Sequence, residues 1–201
     1  MEIRPLAIEG AWEVTPRQFR DDRGVFLESF RADALAEHIG HPLQVRQTNT
    51  SVSSRGTLRG IHFADVPPSQ AKYVNAVAGS FLDFVVDLRT GSPTFGQWDS
   101  VLLDTLDRRA VYLSEGLGHA ICALEDDSTV TYLCSSVYSP GREHGVHPLD
   151  PELALVFPDG LQPLLSPKDA AAPTLAQARE QGLLPRYDDA LALRAELAGH
   201  A

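Results

Sequence analysis

Lys72-Tyr73-Val74-Asn75-Ala76-Val77-Ala78-Gly79-Ser80-Phe81-Leu82-Asp83-Phe84-Val85-Val86-Asp87-Leu88 decides the architecture of this chain. It holds two short runs, 72–78 and 80–88, rich in Val, Phe, Leu and Tyr and parted at Gly79, which is the composition of paired strands. Working outward, 47–51, 57–63, 97–103, 110–113, 119–124 and 129–138 read the same way. Turn formers such as Val66-Pro67-Pro68-Ser69 and Gly91-Ser92-Pro93-Thr94 separate them. No helical period interrupts 47–138, so a parallel βαβ layout is excluded. The expectation is an all-β antiparallel sandwich or barrel. Helices are expected only at the margins: 32–39, stopped by Gly40; a run opened by Pro173-Thr174 and closed by Gly182; and a final run capped by Asp188-Asp189.

Strand parity sorts the side chains. Gln47, Asn49 and Ser51 share a face, as do Lys72, Val74 and Ala76, and Tyr132, Cys134, Ser136 and Tyr138. Asp83 and Asp87 fall with Phe81 and Val85, so these carboxylates are either partnered inside a barrel or wrongly placed. Arg59 and His62 differ by three and point to opposite faces of a regular strand. A bulge hosted at Gly60 between them could re-aim one of the two.

Two hundred and one residues suit one domain with trimmings, 1–201, and a core large enough to need no staple. Seventeen Lys and Arg against 27 Asp and Glu give a net charge of −10, which excludes general nucleic-acid binding through a basic face. It leaves room for one local basic pocket. Cys122 and Cys134 make no disulfide framework and lack metal-ligand spacing. With no apolar run near membrane-spanning length and no secretory-type start, no membrane partner and a reducing, cytoplasmic setting are expected. Only two of the 17 cationic residues are lysines, Lys72 and Lys168. In so arginine-rich a chain a lysine is the more conspicuous, since its compact ammonium has a tunable pKa and guanidinium does not.

The densest polar stretch runs from Gln47 through Arg59 and His62 to Lys72. It fits either a solvated hairpin or a pocket for an anionic, hydroxyl-rich ligand. His62 reads as a core histidine or as a base, and Tyr132 as a core tyrosine or a proton donor. Tyr138 reads as an edge aromatic or a stacking platform, and Lys168-Asp169 as ordinary loop chemistry. A metal is not expected: positions 60 and 64 are Gly and Ala, so His62 has no His-x-His partner, and His144 and His147 fall in a polar loop. Nucleophile elbows and glycine-rich phosphate loops are missing.

Several ordered blocks resemble the dTDP-4-dehydrorhamnose 3,5-epimerase family. They are Asp22-Arg23-Gly24-x-Phe26-x-Glu28, Gln47-x-Asn49, Gly56-Thr57-Leu58-Arg59-Gly60-Ile61-His62-Phe63, Pro67-Pro68-x-Gln70-x-Lys72, Asp87-x-Arg89-x-Gly91-Ser92-Pro93-Thr94-Phe95-Gly96-x-Trp98 and Asp150-Pro151. The resemblance covers about residues 1–185. It implies a cupin-type jelly roll with peripheral and C-terminal helices (174–201), no metal and no cofactor. It further implies a homodimer in which residues 1–30 cross to the partner subunit.

The implied activity is epimerisation of a dTDP-4-keto-6-deoxyhexose at C3 and C5. Single-site epimerases of antibiotic-sugar pathways are the alternative, and a non-catalytic nucleotide-sugar-binding barrel the second. The resemblance assigns His62 as base, Asp169 as its orienting carboxylate, Tyr132 as acid and Lys72 to the C4 oxygen. Arg23, Phe26, Glu28, Gln47, Thr48, Asn49, Arg59, His119, Tyr138, Glu143 and Lys168 become substrate contacts. The chain departs from the family pattern at Gly118-His119-Ala120-Ile121, at His147-Pro148-Leu149 and at Phe157, which bears on the sugar pocket and on whether one carbon or two invert.

Overall fold

Alternating burial along the strands explains how they stack. The computed structural model describes residues 1–199. One antiparallel sheet has the order β1 (Glu2–Pro5), β2 (Ala11–Thr15), β10 (Ala110–Leu113), β7 (Lys72–Ala78), β12 (Ser128–Cys134), β5 (Gln47–Ser53). The facing sheet has the order β13 (Glu143–Gly145), β6 (Leu58–Ala64), β11 (Gly118–Ala123), β8 (Phe81–Val86), β9 (Trp98–Leu103). Val74, Ala76, Val111, Leu113 and Val130 of the first sheet pack on Phe81, Val85, Val101, Leu103, Ile121 and Ala123 of the second. Two antiparallel sheets closed over one apolar layer make a jelly-roll barrel, and each strand run expected from the sequence lies in it.

The outer faces are covered by the margins of the chain. Helix α1 (Ala32–Ile39) ends at Gly40, whose φ of +87° suits a glycine C-cap, and packs Leu35 with Val14, Tyr73 and Tyr112 outside the first sheet. Outside the second sheet, Val146, Leu153, Leu161 and α3 (Leu175–Glu180) cover Leu58, Ile61, Phe84 and Val86. Thr174 caps α3 through a capping box with Gln177. Helix α4 (Tyr187–Gly199) starts one residue before Asp188-Asp189, and it docks by polar contacts of Tyr187 and Arg194 to Glu9. The last two residues of the expected helical tail, His200 and Ala201, lie outside the described residues.

The structure corrects the sequence reading at several points. Residues 2–27 carry four strands that the pattern did not reveal, including the hairpin β3 (Gln18–Asp21) and β4 (Gly24–Leu27), which among the described residues forms a two-stranded sheet of its own. Strand β12 stops at Cys134, not at Tyr138, because Ser135 turns to Ala71 through both its amide and its hydroxyl. His144 is not in a loop: it lies in β13, paired with Phe63. Lys168 and Asp169 sit on a short helix, α2 (Pro167–Ala170).

Asp87 lies just past the end of β8. Its buried carboxylate accepts from Arg89 (N, Nε and Nη2), Ser92 and Thr94. Burial pushes its pKa up, but these donors outweigh burial and hold it low. That conspicuous motif is therefore structural: it knots the end of the barrel.

The bulge expected at Gly60 is present. His62 pairs with His119 and Arg59 with Ile121, so β6 spends three residues where β11 spends two. Gly60 has φ +126°, and a Cβ there would lie 2.5 Å from the His119 carbonyl oxygen and 2.7 Å from Ala120 Cα. Gly60→Ala should therefore cost about 2–4 kcal/mol of unfolding free energy, from backbone strain and the clash together. Urea denaturation measures this, and a change below about 0.5 kcal/mol, the range of an ordinary surface substitution, would contradict it.

Candidate active site

The bulge brings Arg59 and His62 to one side of β6, where both line a cavity of about 470 Å³ between the sheets. Lys72, His119, Ile121, Tyr132, Lys168 and Asp169 line it as well. An adjoining chamber of about 420 Å³ shares His62, Lys72, Tyr132 and Lys168 and adds Gln47, Asn49, Gln70, Tyr138, Glu143 and His144. Each chamber falls within the size range of small-molecule sites. A chain of net charge −10 thus gathers Arg59, Lys72, Lys168 and two imidazoles around one cleft.

His62 is tied down first. Its Nε2 lies 2.6 Å from Asp169 Oδ1 across 107 residues of sequence. Asp169 is 5% exposed, and its other oxygen accepts from Ser166 Oγ at 2.9 Å. Burial pushes the Asp169 pKa up, but the hydrogen bonds from His62 and Ser166, the His62 charge and the Gly60 backbone outweigh it and leave the pKa below the ordinary carboxylate value. An ionised Asp169 only accepts, so Nε2–H of His62 donates to it and the neutral ring keeps its lone pair on Nδ1. The carboxylate is placed by local chemistry: Ser166 is the N-cap of α2, Pro167 takes the first turn, and the Asp169 amide donates back to Ser166 Oγ at 3.1 Å.

Opposite, Lys72 pairs with Cys134 across β12 and with Leu113 across β10. Burial lowers its pKa, offset in part by Cys134, Glu143 and Asp83. Its ammonium has no hydrogen-bond or ion-pair partner among the described residues, so it is available to a ligand. Tyr132 lies between Asn49 and Val74. Burial, with Cys134 and Glu143, raises its pKa against the lowering effect of Arg59, so the phenol stays protonated. His119 Nε2 lies 2.8 Å from the fully buried Asp83, so of the two readings for that carboxylate the partnered one holds. Gln47 accepts from the Tyr138 amide at 2.9 Å, which anchors the loop carrying the exposed Tyr138 ring.

Four expected contacts are not at the cleft. Thr48 is exposed on the alternate face of β5, as the two-residue period dictates for a neighbour of Gln47 and Asn49. Arg23, Phe26 and Glu28 belong to the β3–β4 hairpin and its exit: Arg23 bonds Asp21, Phe26 packs on Phe19, and Glu28 lies 3.5 Å from Arg31. Conversely, Ser51, Ser166 and Gln70 line the chambers although the sequence reading assigned them no role there, and Ile121 lines the larger one, as its place in a departure bearing on the sugar pocket suggested. Parity had already put Ser51 beside Gln47 and Asn49, and Ser166-Pro167-x-Asp169 carries a helix-start signal. Among the described residues, no group of three or more His, Cys, Asp and Glu side chains is arranged to hold a metal ion. No described helix is long and apolar enough to cross a membrane.

Residues 5–177 match the family model for dTDP-4-dehydrorhamnose 3,5-epimerase. The chain belongs to that family. A dTDP-4-dehydrorhamnose 3-epimerase from Streptomyces niveus is 60% identical over 93% of this chain and 90% of its own length. A dTDP-4-dehydrorhamnose 3,5-epimerase from Mycolicibacterium smegmatis is 56% identical over 94% and 93%. Among solved structures, a 3'-monoepimerase from Streptomyces bikiniensis in complex with dTDP-quinovose superposes with a TM-score of 0.94 at 50% identity, covering 96% of this chain and 98% of that one.

The depressed pKa of Asp169 has a consequence for stability. A carboxyl whose folded pKa lies below its unfolded value of about 3.9 contributes fully above that value, and the contribution is lost as the pH falls through the folded pKa. The difference in unfolding free energy between the native protein and Asp169→Asn should therefore be level above about pH 5 and shrink on acidification. Urea titrations between neutral pH and about pH 2 test this; a difference that grows as pH falls contradicts it.

Proposed function

We propose that this protein epimerises a dTDP-linked 4-keto-6-deoxyhexose at C3 and C5, removing and returning a proton at carbons beside the C4 ketone. The observation that carries the reading is a carboxylate-held imidazole in one cleft with a protonated phenol and an unpaired ammonium. His62 is the base. Asp169 fixes its tautomer and stabilises the imidazolium that forms. Negative charge then develops on the C4 oxygen, and Lys72 stabilises the enolate, an effect worth roughly 3–4 kcal/mol for a well-aimed donor. Tyr132 returns a proton to the opposite face of the carbon, which inverts it. One proton leaves to His62 and another arrives from Tyr132, and exchange with water resets the pair; no electrons are gained or lost, so the reaction calls for no redox partner.

The remaining cleft residues serve the nucleotide. Arg59, Lys168 and His119 meet the diphosphate and sugar, and Tyr138 stacks on the thymine with Gln47, Asn49 and Glu143 at its edge. Arg23, Phe26 and Glu28 act on a neighbouring subunit. Among the described residues the hairpin that carries Arg23 and Phe26 forms a two-stranded sheet of its own, and it leaves Phe19 47% and Phe26 67% exposed. Strands β1 and β2, by contrast, are paired into this chain's own sheet, so the exchange is assigned to the hairpin and its exit. The homodimer should sediment at twice the 21.9 kDa chain mass. Arg23→Ala should raise KM about tenfold with kcat little changed, as expected for a lost charge-assisted contact. A monomer of full activity would refute the exchange.

A second reading, inversion at C3 alone, is favoured by the 60% identical 3-epimerase. Incubation with the 4-keto sugar in D2O, followed by NMR, separates the two: deuterium at both C3 and C5 supports the first and at C3 only the second. Uptake at neither carbon ends both. His62→Ala should lower uptake by about 10²–10⁴ while dTDP still binds. Tyr132→Phe should allow exchange yet block net inversion, and full epimerase activity in that variant would remove the phenol from its role.

A further inference from the structure

The inner face of β5 is a row of four polar side chains, and three of them are satisfied by protein. Gln47 Nε2 donates to Asn49 Oδ1 at 2.9 Å, Asn49 Nδ2 donates to Cys134 Sγ at 3.7 Å, and Ser53 Oγ accepts from Arg59 Nε at 3.2 Å. Ser51 differs: its Oγ is buried and has no hydrogen-bond partner among the described residues. The neighbours directly across the sheet, Val130 on β12 and then Ala76 on β7, are apolar and offer none. Ser51 nevertheless lines the larger chamber with Arg59, Lys72 and Tyr132. A buried hydroxyl without a protein partner calls for an explanation, and a group entering from the chamber that Ser51 lines supplies one.

We propose that Ser51 Oγ hydrogen-bonds the C2 hydroxyl of the hexose, and that this contact makes the protein select 2-hydroxylated 4-keto-6-deoxyhexoses over their 2-deoxy counterparts. The inference rests on the epimerase reading above. There Arg59 holds the diphosphate on C1, Lys72 meets the C4 oxygen, and the reacting carbons lie between His62 and Tyr132. Asn49 is directly opposite Tyr132, and Ser53 is bonded to Arg59. Ser51 lies between those two positions on the same face, hence between the diphosphate anchor and the reacting carbons. C2 is the ring carbon on that stretch that bears a hydroxyl and loses no proton. A serine hydroxyl both donates and accepts, so it can pair with a sugar hydroxyl in either sense. A pocket built to pair a substrate hydroxyl rejects the analogue lacking it, because its own polar group is then stranded.

The test uses two unreactive ligands, dTDP-6-deoxyglucose and dTDP-2,6-dideoxyglucose, with dissociation constants measured by calorimetry. The native protein should bind the first about tenfold more tightly, the worth of one neutral hydrogen bond. Ser51→Ala should bring the ratio to about one while holding the 2-deoxy ligand within about twofold of its native affinity. Because the quantity read is a ratio within one protein, a reduced folded fraction cancels. Should the alanine variant not fold, Ser51→Thr and Ser51→Val form a shape-matched pair, of which only the threonine should keep the preference.

A native ratio of one, as an ordered water on Ser51 would give, overturns the inference. So does a preference that survives in Ser51→Ala or Ser51→Val, or a loss of affinity for both sugars alike. A flat ratio beside intact deuterium uptake removes the role of Ser51 alone. Failure of uptake removes the epimerase reading, and if neither sugar binds, both fall.

Discussion

A one-residue slip in β6 governs the rest of the site. Without the extra residue at Gly60, the two-residue period of a strand would send Arg59 and His62 to opposite sides of the sheet, one into the barrel and one out of it. With it, a guanidinium and an imidazole share a cleft with Lys72 and Tyr132 from the opposite sheet. The close approach of the His119 backbone leaves no room for a side chain at that position. The same strand pairing sets His119 directly beside His62, so β6 and β11 together aim two imidazoles, each answered by its own buried carboxylate.

Electrostatics then divides the labour between the two walls. On the β6 side, a carboxylate held ionised by several donors keeps the imidazole in one tautomer. On the β7–β12 side, burial works against charge: it lowers the lysine pKa and raises that of the tyrosine. One wall is thereby suited to take a proton and the other to give one. Acidic residues elsewhere dominate the net charge without entering this arrangement, so the net charge hid the pocket, although the scarcity of lysine had marked Lys72 and Lys168.

Much of this was legible in the sequence because strands announce themselves through alternation. The runs at 47–53 and 72–78 were read nearly to their ends, and the conflict between Arg59 and His62 pointed to its own resolution at Gly60. What escaped notice lacked that signal. Strands β1–β3 are only four or five residues long and broken by charged residues, whereas β10, equally short, is an unbroken apolar run. Strand β13 has three residues and owes its form to the partner strand beside it. The helix that carries Asp169 is a single turn, defined by its cap and not by any apolar face. Cleft membership could not be read from motif blocks alone either: Asp87 and Arg89 bind each other at the barrel end, while Ser51 stands in no block yet faces the cavity.

Asp169 reaches His62 from a position downstream of every strand. Synthesis from the N-terminus therefore completes all the strand sequences before the carboxylate leaves the ribosome. Most of the cleft lining comes from the strands, made first, while Lys168 and the tautomer-setting Asp169 follow later in the chain. The group that fixes the imidazole is thus encoded after the strands that shape the vessel, so His62 of the growing chain lacks its set orientation until residue 169 has been added.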